Sequence, residues 1–236
     1  MEMTLDRSIK IGDIVTQVPK TADIFKEYRI DFCCGGNRPL GEVIDEMNLN
    51  EGELMQQLNQ ILIERSTANE NIKNWGEAGY GELIDYVVNK HHAYLNKELP
   101  SISQLTAKIL RVHGSKHPEL SQVYQLFHKL KMEMEQHMIR EEVDAFPLIK
   151  QYEKNKSSLQ LDKIIRMIKK LESEHDDAGN LLKELRKGTK DYQLPDDACM
   201  SYQLTYQKLE ELENDLFQHV HLENNILFPR WLKERA

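Results

Sequence analysis

The chain has 236 residues, of which 31 are basic and 39 acidic, so its formal net charge is −8 with histidine counted as neutral. Hydrophobic residues make up 40% of the composition, which is enough for a folded core. The acidic balance argues against nucleic acid as a partner, because binding to phosphate backbones requires clustered Lys and Arg. No uncharged apolar stretch approaches the roughly 18 residues of a membrane-spanning helix, and the N-terminus has no apolar signal region. We therefore expect a cytoplasmic protein without a membrane partner.

Residues 1–65 are predicted to form a small helical domain. In the segment TADIFKEYRI, Thr21 can cap a helix whose apolar residues recur at helical spacing. This helix is expected to end at the CysCysGlyGly motif of residues 33–36, because glycine readily adopts the positive φ of a helix C-terminus. Another helix is predicted to start at Pro39, and the next at Asn50, where a glutamate three residues later completes a capping box.

The rest of the chain has a different character. The polar, glycine-bearing residues 66–81 are predicted to be a linker. Residues 82–236 have helical periodicity and no alternating strand pattern, so we predict an all-α protein whose second domain is an up-down four-helix bundle. The four predicted helical segments cover about 82–111, 118–153, 158–187 and 196–234.

A block of twelve residues occurs twice in the bundle region, with an offset of 82 residues. The copies, QHMIREEVDAFP and QHVHLENNILFP, share five residues, among them the pairs His137 with Glu141 and His219 with Glu223. Residues four apart lie on the same face of a helix, so each pair presents one imidazole and one carboxylate, as a transition-metal site requires. The Phe-Pro dipeptide that closes each copy is expected to end or kink its helix.

The other two helices offer His92 and His175 at matching positions. His92 precedes His137 by 45 residues, and His175 precedes His219 by 44 residues. Helices that run up and down through equal lengths return to the same height, so one layer of the bundle can hold four imidazoles and two carboxylates. Such a set suits two metal ions that share bridging carboxylates, with open positions for an oxygen bridge or a small molecule. The predicted ligands are His92, His137, Glu141, His175, His219 and Glu223.

The remaining histidines are left out of this site. His91 is about 100° of helix away from His92, and it is the obvious competitor. His113 and His117 flank a predicted turn, where they are expected to cap helices. Cys199 is expected to be a buried structural thiol. The ligand types alone do not distinguish iron from manganese.

Taken together, these motifs resemble a known family. DFCCGGNRPL after TADIFKEYRI resembles the N-terminal domain of the ScdA/YtfE-like repair-of-iron-centres proteins. HHAYLNKELP, QHMIREE, ESEHDD and QHVHLENNILFP resemble the hemerythrin-like di-iron bundle that follows it, and the likeness covers residues 1–236. The resemblance implies two non-haem iron ions, held by the four histidines, bridged by Glu141 and Glu223, and joined by an oxo bridge when oxidised.

The same resemblance implies a function. Members of this family help to restore iron–sulfur clusters damaged by oxidative or nitrosative stress. The expected partners are therefore damaged iron–sulfur proteins, and the expected small ligands are nitric oxide or oxygen. The resemblance implies a repair factor that delivers iron or removes nitric oxide, rather than an enzyme. It is also compatible with a homodimer formed through the N-terminal domain. Two alternatives stay open: a di-iron enzyme that reduces nitric oxide or a peroxide, and an oxygen or nitric oxide sensor.

Cys33 and Cys34 match the cysteine pair of that family. In one interpretation an exposed thiolate accepts iron or nitric oxide, or engages a partner. In the other, these are two ordinary thiols at the end of a helix. Adjacent cysteines are not expected to chelate one metal ion together, because successive side chains point apart.

Overall fold

The computed structural model describes residues 5–67 and 73–234, so residues 68–72 of the predicted linker lie outside it. The described residues contain helices and no β-strand, which confirms the all-α prediction. None of the described helices combines the length and the apolarity that crossing a membrane would require. The chain divides into two compact units: Met1–Gly79 with Phe217–Ala236, and Tyr80–Leu216.

The first unit joins four N-terminal helices to the C-terminal segment of the chain. Its core is built on Phe32, whose ring lies 6.5 Å from that of Phe25 and 5.6 Å, edge to face, from that of Phe217. The predicted cap at Asn50 is confirmed, because its Oδ1 accepts a hydrogen bond of 3.3 Å from the backbone N–H of Glu53. The N-terminal helices are α1 (Ile11–Gln17), α2 (Thr21–Glu27), α3 (Leu40–Met47) and α4 (Glu51–Thr67).

Helix α2 ends earlier than its sequence predicts. The left-handed residue at its C-terminus is Arg29, with φ 57°, and none of the glycines in the described part of the chain has a positive φ. The N–H of Ile30 donates to the carbonyl of Phe25 (2.7 Å), and that of Arg29 to Lys26 (3.0 Å), which together form a Schellman motif. The predicted end at the glycine motif is therefore wrong. The predicted Thr21 cap is also wrong, since its hydroxyl donates to the Val18 carbonyl at 2.7 Å.

The second unit contains the helical bundle. Helix α7 packs against both α6 and α9. Contacts from His92 to Glu142 and from Ser103 to His128 show that α6 and α7 are antiparallel, because the residue numbers rise in one helix as they fall in the other. The helices of this unit are α5 (Tyr80–Tyr86), α6 (Ala93–His113), α7 (Glu119–Arg140), α8 (Phe146–Lys154), α9 (Ser158–Gly188) and α10 (Met200–His221), the last as far as Leu216.

Helix α10 closes the bundle through two ion pairs. Lys208 lies 3.1 Å from Glu98 of α6, and Arg186 of α9 lies 2.7 Å from Glu213. The carboxylates of both pairs are almost fully buried, so their charge depends on these partners. The second unit is thus an up-down four-helix bundle.

Three π-helical segments interrupt helices that the sequence pattern predicts as continuous. They are π1 (Val87–His92), π2 (Glu141–Ala145) and, in the first unit, π3 (Leu222–Leu227), which is followed by α11 (Phe228–Glu234). The helices continue past Pro147 and Pro229, so neither proline ends its helix, and each instead follows a π-helical interruption. A proline ring clashes with the carbonyl four residues before it, and in both cases that carbonyl lies in the wider π turn.

Candidate metal centre

In the second unit, Glu141 is the meeting point of side chains from two other segments. Its Oε2 atom lies 3.2 Å from Nε2 of His92 and 3.3 Å from Nε2 of His137. Nε2 of His175 lies 3.0 Å from Nε2 of His137. His137, Glu141 and His175 each offer a ligand atom, and these atoms all lie within 4.8 Å of one another. The unit therefore brings four of the predicted ligands together.

Ring orientation makes this cluster electron-rich. The Nδ1 of His92 lies 2.8 Å from Glu142, and that of His137 lies 3.0 Å from Glu174. Because a carboxylate can only accept hydrogen bonds, both Nδ1 atoms carry the proton, and a neutral ring then turns the lone pair of Nε2 towards Glu141. Lone pairs that converge on a buried carboxylate need a cation between them. The donor set fits a transition metal.

Glu142 and Glu174 are candidate site residues that the sequence alone did not identify. Each follows or precedes a predicted ligand directly, and that adjacency is the signal by which they could have been found. Burial raises the pKa of Glu174, but hydrogen bonds from His137 and Arg140 outweigh it and hold this pKa below its ordinary value. Glu174 is therefore a carboxylate at neutral pH, and it can keep His137 oriented as a metal ligand.

A small cleft reaches the cluster from the side of α7 and α9. Its volume is about 140 Å³, and His137, Arg140 and Glu174 are among the residues that line it. One water molecule occupies about 30 Å³ of the liquid, so the cleft has room for a few waters or a diatomic gas. It gives a small molecule a way to one of the predicted ligands.

In the first unit, the second copy of the repeated block adopts the same local geometry as the first. Nε2 of His219 lies 3.3 Å from Oε1 of Glu223, the same separation as between His137 and Glu141. His219 and Glu223 are both fully buried, and Glu223 lies in π3 as Glu141 lies in π2. The assignment of the six residues as metal ligands stays a prediction.

Other histidines have different partners. Nδ1 of His91 lies 2.9 Å from Asp215, so the structure turns His92, and not His91, towards Glu141. His113 contacts Cys199 at 3.1 Å, and Cys199 is exposed, so its prediction as a buried thiol is wrong. Cys199 lies just before α10 begins, where it stays at the surface.

His117 also departs from its predicted role. It contacts Glu119 at 3.3 Å and Asp197 at 2.9 Å through its two ring nitrogens. Both contacts are to side-chain carboxylates, so His117, like His113, does not cap a helix as expected.

The cysteine pair differs from its prediction in two respects. Cys33 is only 2% exposed, and burial, helped by the hydrogen bond to Cys34 and the charge of Asp31, raises the pKa of its thiol well above the ordinary value. Cys33 is therefore a buried thiol rather than an exposed thiolate, whereas Cys34 is half-buried. The two Sγ atoms lie 3.8 Å apart, because the chain turns here instead of extending, so the adjacent side chains do not point apart.

Asn225 of π3 holds the backbone of this cysteine segment. Its Nδ2 donates to the carbonyls of Cys33 (2.9 Å) and Phe32 (3.2 Å). A Cβ atom on Gly12 or Gly36 would lie 2.5 Å from its Oδ1, so the carboxamide fits only between glycines. Gly36 of the motif is needed for this close approach and not for a positive φ.

Comparison with known proteins shows which family and which relatives this chain is similar to. The family model described as "Hemerythrin HHE cation binding domain" matches residues 83–231, and the ScdA N-terminal model, described as a domain of unknown function, matches residues 7–62. The chain is 34% identical to a probable iron-sulfur cluster repair protein of Haemophilus influenzae, over 96% of this chain and 97% of the relative. It is 33% identical to the iron-sulfur cluster repair protein ScdA of Staphylococcus haemolyticus, over 94% and 96% of the two chains. It is 32% identical to the iron-sulfur cluster repair protein YtfE of an Enterobacter species, over 96% and 97%.

Proposed function

Because this chain belongs to the hemerythrin HHE family and to the iron–sulfur cluster repair proteins, we propose that it is a cytoplasmic di-iron repair factor. It would act on iron–sulfur proteins whose clusters have been damaged by oxidative or nitrosative stress. The observation that carries the proposal is the buried carboxylate of Glu141, which faces the Nε2 atoms of two imidazoles from different segments. An ordinary structural core has no need of this arrangement.

We further propose that both copies of the repeated block serve one centre of about two iron ions, as in other carboxylate-rich bundles. The equal separation of imidazole and carboxylate in the two copies supports equivalent roles for Glu141 and Glu223, which would both be metal ligands. When bound, the irons supply exchange between the ferrous and ferric states and open positions for a small ligand such as nitric oxide or oxygen.

The protein's own residues set the conditions for that chemistry. The histidines hold the metal through Nε2, and Glu142 and Glu174 keep two of the rings in the tautomer that allows it. Burial excludes bulk water from the ligands, while the cleft beside His137 admits small molecules. This combination favours controlled exchange with a small ligand or partner over catalysis on a large substrate.

The test measures repair directly. Protein purified without oxygen should contain about two irons per chain, and it should reactivate an aconitase-type enzyme with a damaged cluster without added iron. Glu141→Gln should lose both properties, whereas Glu135→Gln, a substitution in a half-buried helical pair with Lys131, should keep them. Many turnovers of nitric oxide with an electron donor, and no reactivation, would instead make the protein an enzyme. Neither activity, with a ligand-dependent change in partner affinity, would make it a sensor.

A further inference from the structure

Away from the histidine and glutamate residues, the first unit contains a second group of metal-ligating side chains. Asp31, Cys33 and Cys34 each offer one ligand atom, and these atoms all lie within 4.8 Å of one another. Asp31 and Cys34 are partly exposed and Cys33 is buried, so the group is open to solvent on one side only. We propose that these three residues form a second metal site, for a thiophilic divalent cation such as ferrous iron or zinc.

The separation of the sulfur atoms fits this proposal. Two sulfurs that each bind a metal at about 2.3 Å with a tetrahedral angle are about 3.8 Å apart. The Sγ atoms of Cys33 and Cys34 are 3.8 Å apart. The thiols thus already have the spacing of a chelating pair, and binding does not require the turn to be rebuilt.

The carboxylate is also fixed in place. Oδ1 of Asp31 accepts hydrogen bonds from the backbone N–H groups of Cys33 (3.2 Å), Cys34 (3.0 Å) and Gly35 (3.1 Å). It lies 3.2 Å from the Sγ of Cys33, compared with about 3.6 Å for an oxygen and a sulfur on one tetrahedral zinc-like ion. A shift of a few tenths of an ångström therefore completes a three-residue set that leaves one coordination position open.

Binding is an exchange of protons for metal. Both S–H bonds break, two metal–sulfur bonds form, the two protons go to solvent, and no electrons are transferred. In the metal-free protein the sulfurs stay protonated, because two thiolates beside Asp31 would repel one another, and a divalent cation neutralises that charge when it binds. A bound cation with an open position suits transfer to another ligand better than storage.

This inference deepens the proposed function, because ferrous iron is the cargo that a repair factor would hand over. A site with sulfur ligands would hold the iron in an environment similar to the sulfur-rich surroundings of the cluster that receives it. Asn225 of π3 donates a hydrogen bond to the carbonyl of Cys33 and so fixes the backbone that carries the thiol pair.

The experiment uses the full chain, loaded with iron at its histidine and glutamate residues, and titrates it with Co²⁺ in the absence of oxygen. Only a thiolate ligand gives the sulfur-to-cobalt charge-transfer band in the near ultraviolet, so cobalt bound to imidazoles and carboxylates does not interfere. The band should saturate at about one cobalt per chain with release of about two protons. Zn²⁺ should displace the cobalt at comparable concentration, and Fe²⁺ should displace it only in excess, because ferrous iron binds such a site more weakly than cobalt.

Three variants decide the assignment. Replacing both Cys33 and Cys34 by Ser in one variant should abolish the band, whereas Cys199→Ser, which removes the exposed thiol of the other unit, should leave it intact. Asp31→Asn keeps an Oδ1 acceptor for the three N–H groups but loses the negative charge, so the band should remain with weaker binding. Circular dichroism and iron content should match the unchanged protein in all three, which separates this test from that of the di-iron centre.

Several results would overturn the proposal. These are no band in the unchanged protein, a band that survives replacement of both Cys33 and Cys34 by Ser, or a band that disappears in Cys199→Ser. An affinity unchanged by Asp31→Asn would remove the carboxylate from the site. A failure of iron loading at the histidine and glutamate residues, by contrast, would count against the proposed function alone.

Discussion

Replacement of Glu174 by Gln should weaken iron binding without touching any proposed ligand. Glu174 accepts the Nδ1 proton of His137 at 3.0 Å, and its side chain is 20% exposed. Loss of a carboxylate that orients a metal-bound histidine typically lowers metal affinity about 10- to 100-fold, or about 1.4–2.7 kcal/mol. Glu142, the equivalent partner of His92, is 40% exposed, so water screens it more and can partly replace it. We expect the upper half of that range for Glu174→Gln and the lower half for Glu142→Gln.

The assay is competition for ferrous iron between the protein and a coloured chelator, without oxygen and at constant pH. Arg140→Met removes the guanidinium that pairs with Glu174 but leaves the bond to the histidine, so its effect should stay below about 1 kcal/mol. Glu135→Gln is the surface control and should change nothing measurable. The reasoning is refuted if Glu142→Gln weakens iron binding more than Glu174→Gln does, or if Glu174→Gln behaves like the surface control.

Three further outcomes follow from individual contacts. His92→Leu should sharply lower iron content measured by elemental analysis while His91→Leu leaves it nearly intact, and the reverse result would mean that π1 is rotated. Gly36→Ala should lower the melting temperature, because its Cβ would lie 2.5 Å from two oxygen atoms, whereas Gly52→Ala in the exposed first turn of α4 should be neutral or stabilising by up to about 1 kcal/mol; equal effects would contradict this. Arg186→Met should lower the free energy of unfolding in urea by about 2–4 kcal/mol, because Glu213 stays buried but loses this guanidinium. A loss below about 1 kcal/mol would show that water screens the pair.

Periodicity and the repeated block predicted the bundle correctly. Four long amphipathic segments with short connections allow few other folds, and the 82-residue offset identified equivalent residues in two helices. The choice of His92 over His91 depended on a difference of one residue in spacing, and the structure turns His92 towards Glu141. The lengths of the amphipathic segments and the repeated block were therefore sufficient to predict the bundle and the position of His92.

Local backbone choices could not be predicted in the same way. The residue that ends α2 in the left-handed region is Arg29, although two glycines lie only a few residues further on. No pattern of residue types marks the π segments, because tertiary packing decides whether a helical turn takes up one extra residue. The burial of Cys33 depends on contacts with residues almost 200 positions away, such as Asn225, which no local pattern contains.

The short π3 segment carries both Glu223 and Asn225, one a proposed metal ligand and the other the residue that holds the cysteine backbone. A shift of the π3 backbone at Glu223 would also act on the carboxamide of Asn225, which lies two residues further on, between Gly12 and Gly36. Linkage between two binding events is reciprocal, so if iron on the glutamate alters the affinity of the thiols, a cation on the thiols must alter the affinity of the glutamate by the same factor. The single π turn that carries both residues would then couple the occupancy of the site at Glu223 to the metal affinity of the thiol pair.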